Sequence, residues 1–180
     1  MGDEEAIERV LAGDINCFGL LVDKYQNKVL GMIYNMTRDH HLSEDLGQDV
    51  FMDAYRGLAN FDSARSRFST WLYRITQNKA INALRKRKPL LFAKAPERAI
   101  EASGFEKFAT DELHMEFDRI LDRLPVRQKA AFVWSEIEEL SYKDIAEIEG
   151  VSVGTIKSRI SRARRFLRDA VKHRKAISNE

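Results

Sequence analysis

The chain holds one cysteine, three prolines and nine glycines in 180 residues. A single thiol, Cys17, excludes an internal disulfide framework and a cysteine-based zinc site. It lies in an apolar helical stretch, where a buried thiol is the expected state. No run of 18 or more apolar residues occurs, so no transmembrane helix is expected. Residues 1–10 are acidic and lack an apolar core, which excludes a signal peptide and makes a cytoplasmic protein the default. There is no glycine-rich phosphate loop. His40 and His41 are adjacent in an expected turn, His114 and His173 stand apart, and no His–carboxylate cluster has metal-ligand spacing. No catalytic residue, metal or cofactor is therefore expected, and an enzyme is the poorest reading.

What the chain does have is charge in blocks. The formal net charge is only +2. Residues 1–62 carry 5 basic and 12 acidic residues, and residues 63–96 carry 9 basic and no acidic ones. Residues 97–150 carry 7 basic and 14 acidic residues, and residues 151–180 carry 9 and 2. The sign pattern is thus −7, +9, −7, +7. Blocks of one sign speak about partners more than about fold, and two basic blocks suggest two separate contacts with a polyanion.

Helical spacing dominates the periodicity. Residues 14–37 place Phe18, Val22, Tyr25, Val29, Ile33 and Met36 at steps of three and four, with Asp14 as the expected cap. Residues 43–59 repeat the pattern through Leu46, Val50, Phe51, Ala54 and Leu58, with Ser43 as cap and an internal Gly47 that weakens the helix. A loop around 60–67 leads to a helix from 68 to 87 that should stop before Pro89. Residues 89–110 lose the period and read as a linker, although Phe92, Phe105 and Phe108 suggest that it docks somewhere. Further helices are expected at 111–123, at 125–138 with Pro125 in its first position, at 141–150 and at 152–172. The expected fold is all-α: two small helical domains joined by a flexible linker, the second a helix-turn-helix.

The helix-turn-helix rests on residues 141–165, SYKDIAEIEGVSVGTIKSRISRARR. Ala146 and Gly150 sit four apart, where a small residue allows close helix approach and a glycine tolerates the left-handed turn. In the second helix Ile156, Ile160, Ala163, Leu167 and Ala170 make the buried stripe. At 100° per residue the opposite face collects Thr155, Lys157, Ser158, Ser161, Arg162, Arg165 and Arg168. Such a face suits a DNA major groove, and the Ser152 end offers N–H groups to a phosphate.

Residues 61–88, FDSARSRFSTWLYRITQNKAINALRKRK, divide in the same way. Phe68, Leu72, Ile75, Thr76, Ala80 and Ala83 point one way, while Trp71, Arg74, Asn78, Asn82 and Arg85 point the other. Amides and guanidinium groups read base edges, and aromatics stack on unpaired bases. The preceding loop adds Phe61, Arg65, Ser66 and Arg67, which could form a pocket for one extruded base. Trp71 as a plain core residue stands beside Trp71 as a stacking platform at this point.

Three segments, DLGQDVFMDAYRGL (45–58), RFSTWLYRITQNKAINALRKRK (67–88) and LPVRQKAAFVWSEIEELSYKDIAEIEGVSVGTIKSRISRARRFL (124–167), together resemble a bacterial extracytoplasmic-function (ECF) sigma factor of the sigma-70 family. The resemblance implies region 2 at 1–90, a linker at 91–110 and region 4 at 111–180. It implies binding to core RNA polymerase, recognition of promoter DNA as single strand at −10 and as duplex at −35, melting of the DNA, and restraint by an anti-sigma factor in response to stress or envelope signals. By resemblance, Asp45, Gln48, Asp49 and Met52 dock on a polymerase coiled coil. Phe61, Arg65, Ser66, Arg67, Phe68, Trp71, Arg74, Asn78, Asn82 and Arg85 contact the −10 element. Ser152, Thr155, Lys157, Ser158, Ser161, Arg162 and Arg165 contact the −35 element. Asp45, Asp49 and Met52 also share one helix face by spacing, acidic with an apolar centre. A conventional repressor with a C-terminal helix-turn-helix leaves the Trp71–Arg85 face unexplained, and a single-stranded RNA binder leaves the helix-turn-helix idle. The chain itself is not expected to insert in a membrane. With no long C-terminal extension, control by an added domain is not expected either.

Overall fold

The computed structural model describes residues 1–91 and 116–177, which are helical and contain no strand. The expected linker, with Phe92, Phe105 and Phe108, lies outside the described residues. Helix α1 (Asp3–Leu11) begins with Asp3, Glu4 and Glu5 and ends with Arg9, charges that complement the helix dipole. Nine residues are marginal as an isolated helix, and the sequence reading did not anticipate it. Packing holds it in place: Ala6, Ile7 and Val10 are buried, and Asp3 accepts hydrogen bonds from Lys24 Nζ and Tyr25 Oη, both at 2.5 Å.

Helix α2 (Asn16–Thr37) buries Leu21, Tyr25, Val29, Met32, Ile33 and Met36. Asp14 does not cap it. The carboxylate accepts instead from Arg9 at 2.5 Å and from Cys17 Sγ at 3.3 Å. Arg38, in the left-handed region at φ 53°, ends the helix. Helix α3 (His40–Gly57) then starts three residues earlier than the expected Ser43 cap. Asp39 is the cap, accepting from Leu42 N at 3.0 Å, and Ser43 is buried against Thr37. The cost of Gly47 now has a reason. A Cβ there would sit 2.7 Å from Leu30 Cδ2, so the glycine permits close approach of α2 and α3.

Helix α4 (Phe68–Leu91) runs through Pro89 rather than stopping before it. Proline removes one backbone donor, and this loss falls in the last turn. The second unit comprises α5 (described over 116–122), α6 (Val126–Glu136), α7 (Tyr142–Glu149) and α8 (Val153–Ile177). Pro125 caps α6 from outside rather than opening it. Helix α6 stops at Glu136, and α8 extends five residues past the expected end.

The two expected helical units are present, and their buried residues fall into three clusters. One core lies within α1–α4, around Leu21, Val29, Ile33, Val50 and Leu72. A small one joins Leu121, Leu124, Phe132, Ala163 and Leu167 in the second unit. The third belongs to both units. Met32 and Met36 of α2 and Ala80 and Ile81 of α4 pack with Trp134, Ile145, Ile148, Ile156 and Ile160. Fully burying each such side chain contributes about 1.5–3 kcal/mol, so the two units dock rather than float.

Two predictions follow from these constraints. Gly150 has φ +64°. Gly150→Ala should lower the unfolding free energy by about 1–2 kcal/mol, and Gly150→Asn by less, as read from denaturant midpoints. Burial, helped by the Asp3 hydrogen bond, pushes the Tyr25 phenol from 10.0 up to about 12. A raised folded-state value means that stability is held below pH 10 and lost between pH 10 and 12. Denaturant midpoints of Tyr25→Phe should fall less across that window than those of the wild type.

Candidate nucleic-acid and polymerase interfaces

The first interface is built on α4, whose 24 residues include no acidic side chain. Leu72, Thr76 and Ala80 are buried on one side, and Arg74, Asn78, Asn82 and Arg85 are exposed on the other. The loop before α4 is anchored by an aromatic trio. Phe61 lies 5.7 Å from Phe68 and 5.3 Å from Trp71, centroid to centroid, and Phe68 lies 5.8 Å from Trp71. Phe68 is only 4% exposed and also packs on Tyr25 at 5.6 Å. Its ring is a support beneath the loop and is not on the surface that bears Arg74. Trp71 is half-buried. A Cβ on Gly57 would approach its ring to 3.3 Å, so that glycine leaves the space the indole occupies. Arg65 is exposed beside Asp62 at 3.7 Å, and Ser66 is half-buried.

Two cations on this face already have partners, which the sequence did not reveal. Arg67 Nη2 pairs with Asp144 Oδ1 at 2.7 Å. Arg74 donates to the carbonyls of Ile148 at 3.2 Å and Glu147 at 2.8 Å. Both sets of acceptors belong to α7.

The second interface is the α7–turn–α8 unit. Ser141 Oγ accepts from Asp144 N at 3.1 Å and so starts α7. The Ser141 hydroxyl, with Arg67 adding to it, holds the Asp144 carboxyl below its ordinary value. Gly150 ends α7 in the left-handed region, and Val151 N donates back to Ala146 O at 3.0 Å, the backbone pattern that closes a helix C-terminus. Ser152 Oγ accepts from Thr155 N at 3.1 Å. Its hydroxyl is thus the cap of α8 and already occupies one of the N–H groups at that end.

A buried charge orients α8. The Glu149 side chain is 0% exposed and meets Arg159 of α8 and, at 3.4 Å, Arg127 of α6. Ile156, Ile160, Ala163 and Leu167 are buried beneath α8. Ser152, Lys157, Ser161, Arg162, Arg165 and Arg168 are exposed, and Thr155 and Ser158 are half-buried.

The third interface lies on α3. Asp45, Gln48, Asp49 and Met52 are all exposed, Met52 at 49%. Gln48 and Met52 border an open apolar groove of about 720 Å³, walled by Phe18, Val22, Leu30, Phe51 and Tyr55. The groove was missed from sequence, although Phe18 and Val22 on α2 and Phe51 and Tyr55 on α3 carried its signal as apolar residues at helical spacing. Lys79 of α4 pairs with Asp53 at 2.8 Å and Asp49 at 3.4 Å. The hydrogen bond to Asp53, with both carboxylates near, raises the Lys79 ammonium above its ordinary range.

The sigma-70 region 2 family model matches residues 21–89, and the sigma-70 region 4 model matches residues 114–167. The chain is 38% identical to the RNA polymerase sigma-H factor of Pseudomonas aeruginosa, covering 94% of this chain and 93% of that one. It is 34% identical to the ECF RNA polymerase sigma factor SigW of Bacillus subtilis, over 92% and 94% of the two chains. The chain belongs to the ECF sigma factors of the sigma-70 family. The sigma factor RpoE of Bartonella quintana, solved with the anti-sigma factor NepR, matches with a TM-score of 0.62 at 25% identity, over 86% of this chain and 96% of that one. Among the described residues of this sigma factor, no group of three His, Cys, Asp or Glu could hold a metal. None of its described helices is long and apolar enough to cross a membrane.

Removing one partner of a buried ion pair leaves the other uncompensated. Arg159→Met should therefore destabilise this ECF sigma factor by about 3 kcal/mol, more than Arg127→Met, whose side chain is 40% exposed. Thermal unfolding of both variants measures the difference.

Proposed function

We propose that residues 1–90 of this sigma factor act as region 2, docking on core RNA polymerase and opening the −10 element, and that residues 111–180 act as region 4, reading −35 as duplex. Residues 91–110 connect the two. The observation that carries the division is the pair of exposed basic faces, on α4 and α8, lying apart from an acidic face beside an apolar groove on α3. Each face suits a different partner.

On α4, Arg74, Asn78, Asn82 and Arg85 meet the −10 strand, while Trp71 with Phe61, Arg65, Ser66 and Arg67 forms the pocket for one extruded base. Phe68 backs that pocket from the core. Extrusion costs a few kcal/mol, and stacking returns about 1–3 kcal/mol per base. Capture of a transiently opened strand can thus drive melting without ATP. On α8, Lys157, Ser158, Ser161, Arg162 and Arg165 enter the major groove, with Thr155 beside them and the Ser152 cap at the helix end. On α3, Asp45, Asp49 and Met52, with Gln48, face a basic polymerase helix whose apolar side fills the groove. The protein makes no bond and needs no cofactor. It works in the cytoplasm, where the polymerase is, and an anti-sigma factor restrains it. The likeness to RpoE solved with NepR supports that restraint.

The test is initiation with core polymerase on duplex and pre-melted templates carrying the same promoter. Trp71→Ala with Asn78→Ala should reduce initiation on duplex by roughly 10- to 100-fold, the loss of about one stacked base, and on pre-melted DNA by much less. Equal loss on both templates would remove the melting role.

A further inference from the structure

We propose that Glu138 is an interdomain latch that holds the free protein closed and keeps the single-strand face of α4 engaged with α7 while leaving α8 open to duplex DNA. The inference rests on the reading of Arg67 and Arg74 as −10 contacts.

The latch is a small, shaped receptor for one carboxylate. Lys28, Gly31 and Asn35 fall at i, i+3 and i+7 and line one face of α2. The turn between α6 and α7 brings Glu138 onto that face. To do so it places Glu139, a non-glycine residue, in the left-handed region at φ 55°, which L side chains rarely adopt. Glu138 is 8% exposed. Its carboxylate meets Lys28 Nζ at 2.7 Å and accepts from Asn35 Nδ2 at 2.6 Å, and its backbone carbonyl accepts from the same Lys28 at 2.9 Å. Gly31 lies beside the carboxylate, and a Cβ there would stand 3.7 Å from Glu138 Oε1, an ordinary contact.

Two further polar ties flank the notch. Lys129 Nζ of α6, nearly buried, donates to Met36 O at the C-terminus of α2 at 2.6 Å while pairing with Asp122 at 2.7 Å. Helix C-termini leave carbonyls unsatisfied and favour a cation, so this contact fits its position. Arg38 Nε pairs with Asp118 at 3.0 Å. With the units so held, α7 is seated on Arg67 and Arg74. Asn78, Asn82 and Arg85 stay exposed, as does the basic face of α8.

The shared interface also leaves polar groups unmatched. The Gln77 amide nitrogen, on the α4 stripe with Tyr73 and Ile81, and the Trp134 indole N–H have no hydrogen-bond partner. Unpaired buried donors lower the gain from docking. The closed form is therefore one that a stronger ligand for the α4 face can displace. Opening exchanges the backbone carbonyls of α7 on Arg74 for the groups of a DNA strand, and the closed protein can still search duplex through α8.

The test uses the full chain in a Cys17→Ala background, with dyes at Glu8→Cys and Asp169→Cys, both exposed and outside every proposed interface. Energy transfer reports the distance between units in the free protein. Glu138→Lys should open it, Lys28→Glu should open it likewise, and the two together should restore the closed distance. Asn35→Ala gives a milder opening from the other side of the contact, so a folding defect in the α6–α7 turn cannot imitate the series. Opening should tighten binding of a single-stranded −10 oligonucleotide by about tenfold, the gain expected if about one molecule in ten is open in the wild type. Binding of a −35 duplex should not change. An unchanged distance in Glu138→Lys, with circular dichroism showing both units folded, overturns the latch. So does an increased distance with no gain in strand binding, provided that Arg74→Ala weakens strand binding in the opened variant. If Arg74→Ala has no effect there, the −10 reading fails and the latch distance stands by itself.

Discussion

Everything in this molecule depends on the division of one helix into three surfaces. The N-terminal half of α4 sinks Phe68 and Leu72 into the first core, and its middle supplies Ala80 and Ile81 to the shared core. What remains is a strip of cations and amides with no carboxylate. A helix packed on two sides is rigid, and a rigid helix presents its third side in a fixed pattern. The contacts that hold α4 also fix the pattern in which Arg74, Asn78 and Asn82 are presented, and they bind the second unit to the first.

Buried charge is used sparingly and always at a join. Glu149 fixes α7 to α8 and α6 through two guanidinium groups. Glu138 fixes the α6–α7 turn to α2, and Lys129 fixes α6 to the end of α2. A buried ion pair adds little net stability over a well-packed apolar pair, but a broken one is costly. Such contacts therefore select one arrangement over its neighbours. The first sets the angle of α8 against α6 and α7. The other two set the relation between the units.

The charge blocks look different once folded. The basic stretch at 63–96 includes Arg67 and Arg74, which meet a carboxylate and carbonyls of the acidic stretch at 97–150. The acidic stretch is thus a partner for the α4 face as well as a scaffold for the helix-turn-helix. Phosphate attraction and internal pairing compete for the same guanidinium groups, and salt weakens both.

Helical periodicity alone determined the all-α class, the α2 and α4 stripes, the Ser141 and Ser152 caps and the Gly150 turn. These are local matters, settled by residues three or four apart and by the backbone freedom of one glycine. The outward placement of Arg74, Asn78 and Asn82, and of Lys157 and Arg162, followed from the same arithmetic. Local rules gave the wrong cap for α3: the Ser43 hydroxyl is buried against Thr37, and the Asp39 carboxylate accepts from Leu42 N instead. Helix α1 escaped notice because nine residues are held by Asp3 reaching Lys24 and Tyr25 across the chain. The apolar groove, the purpose of Gly47 and the docking of the two units were decided only in three dimensions. Each depends on which surfaces meet between elements distant in sequence, and a period of 3.6 residues carries no information about that.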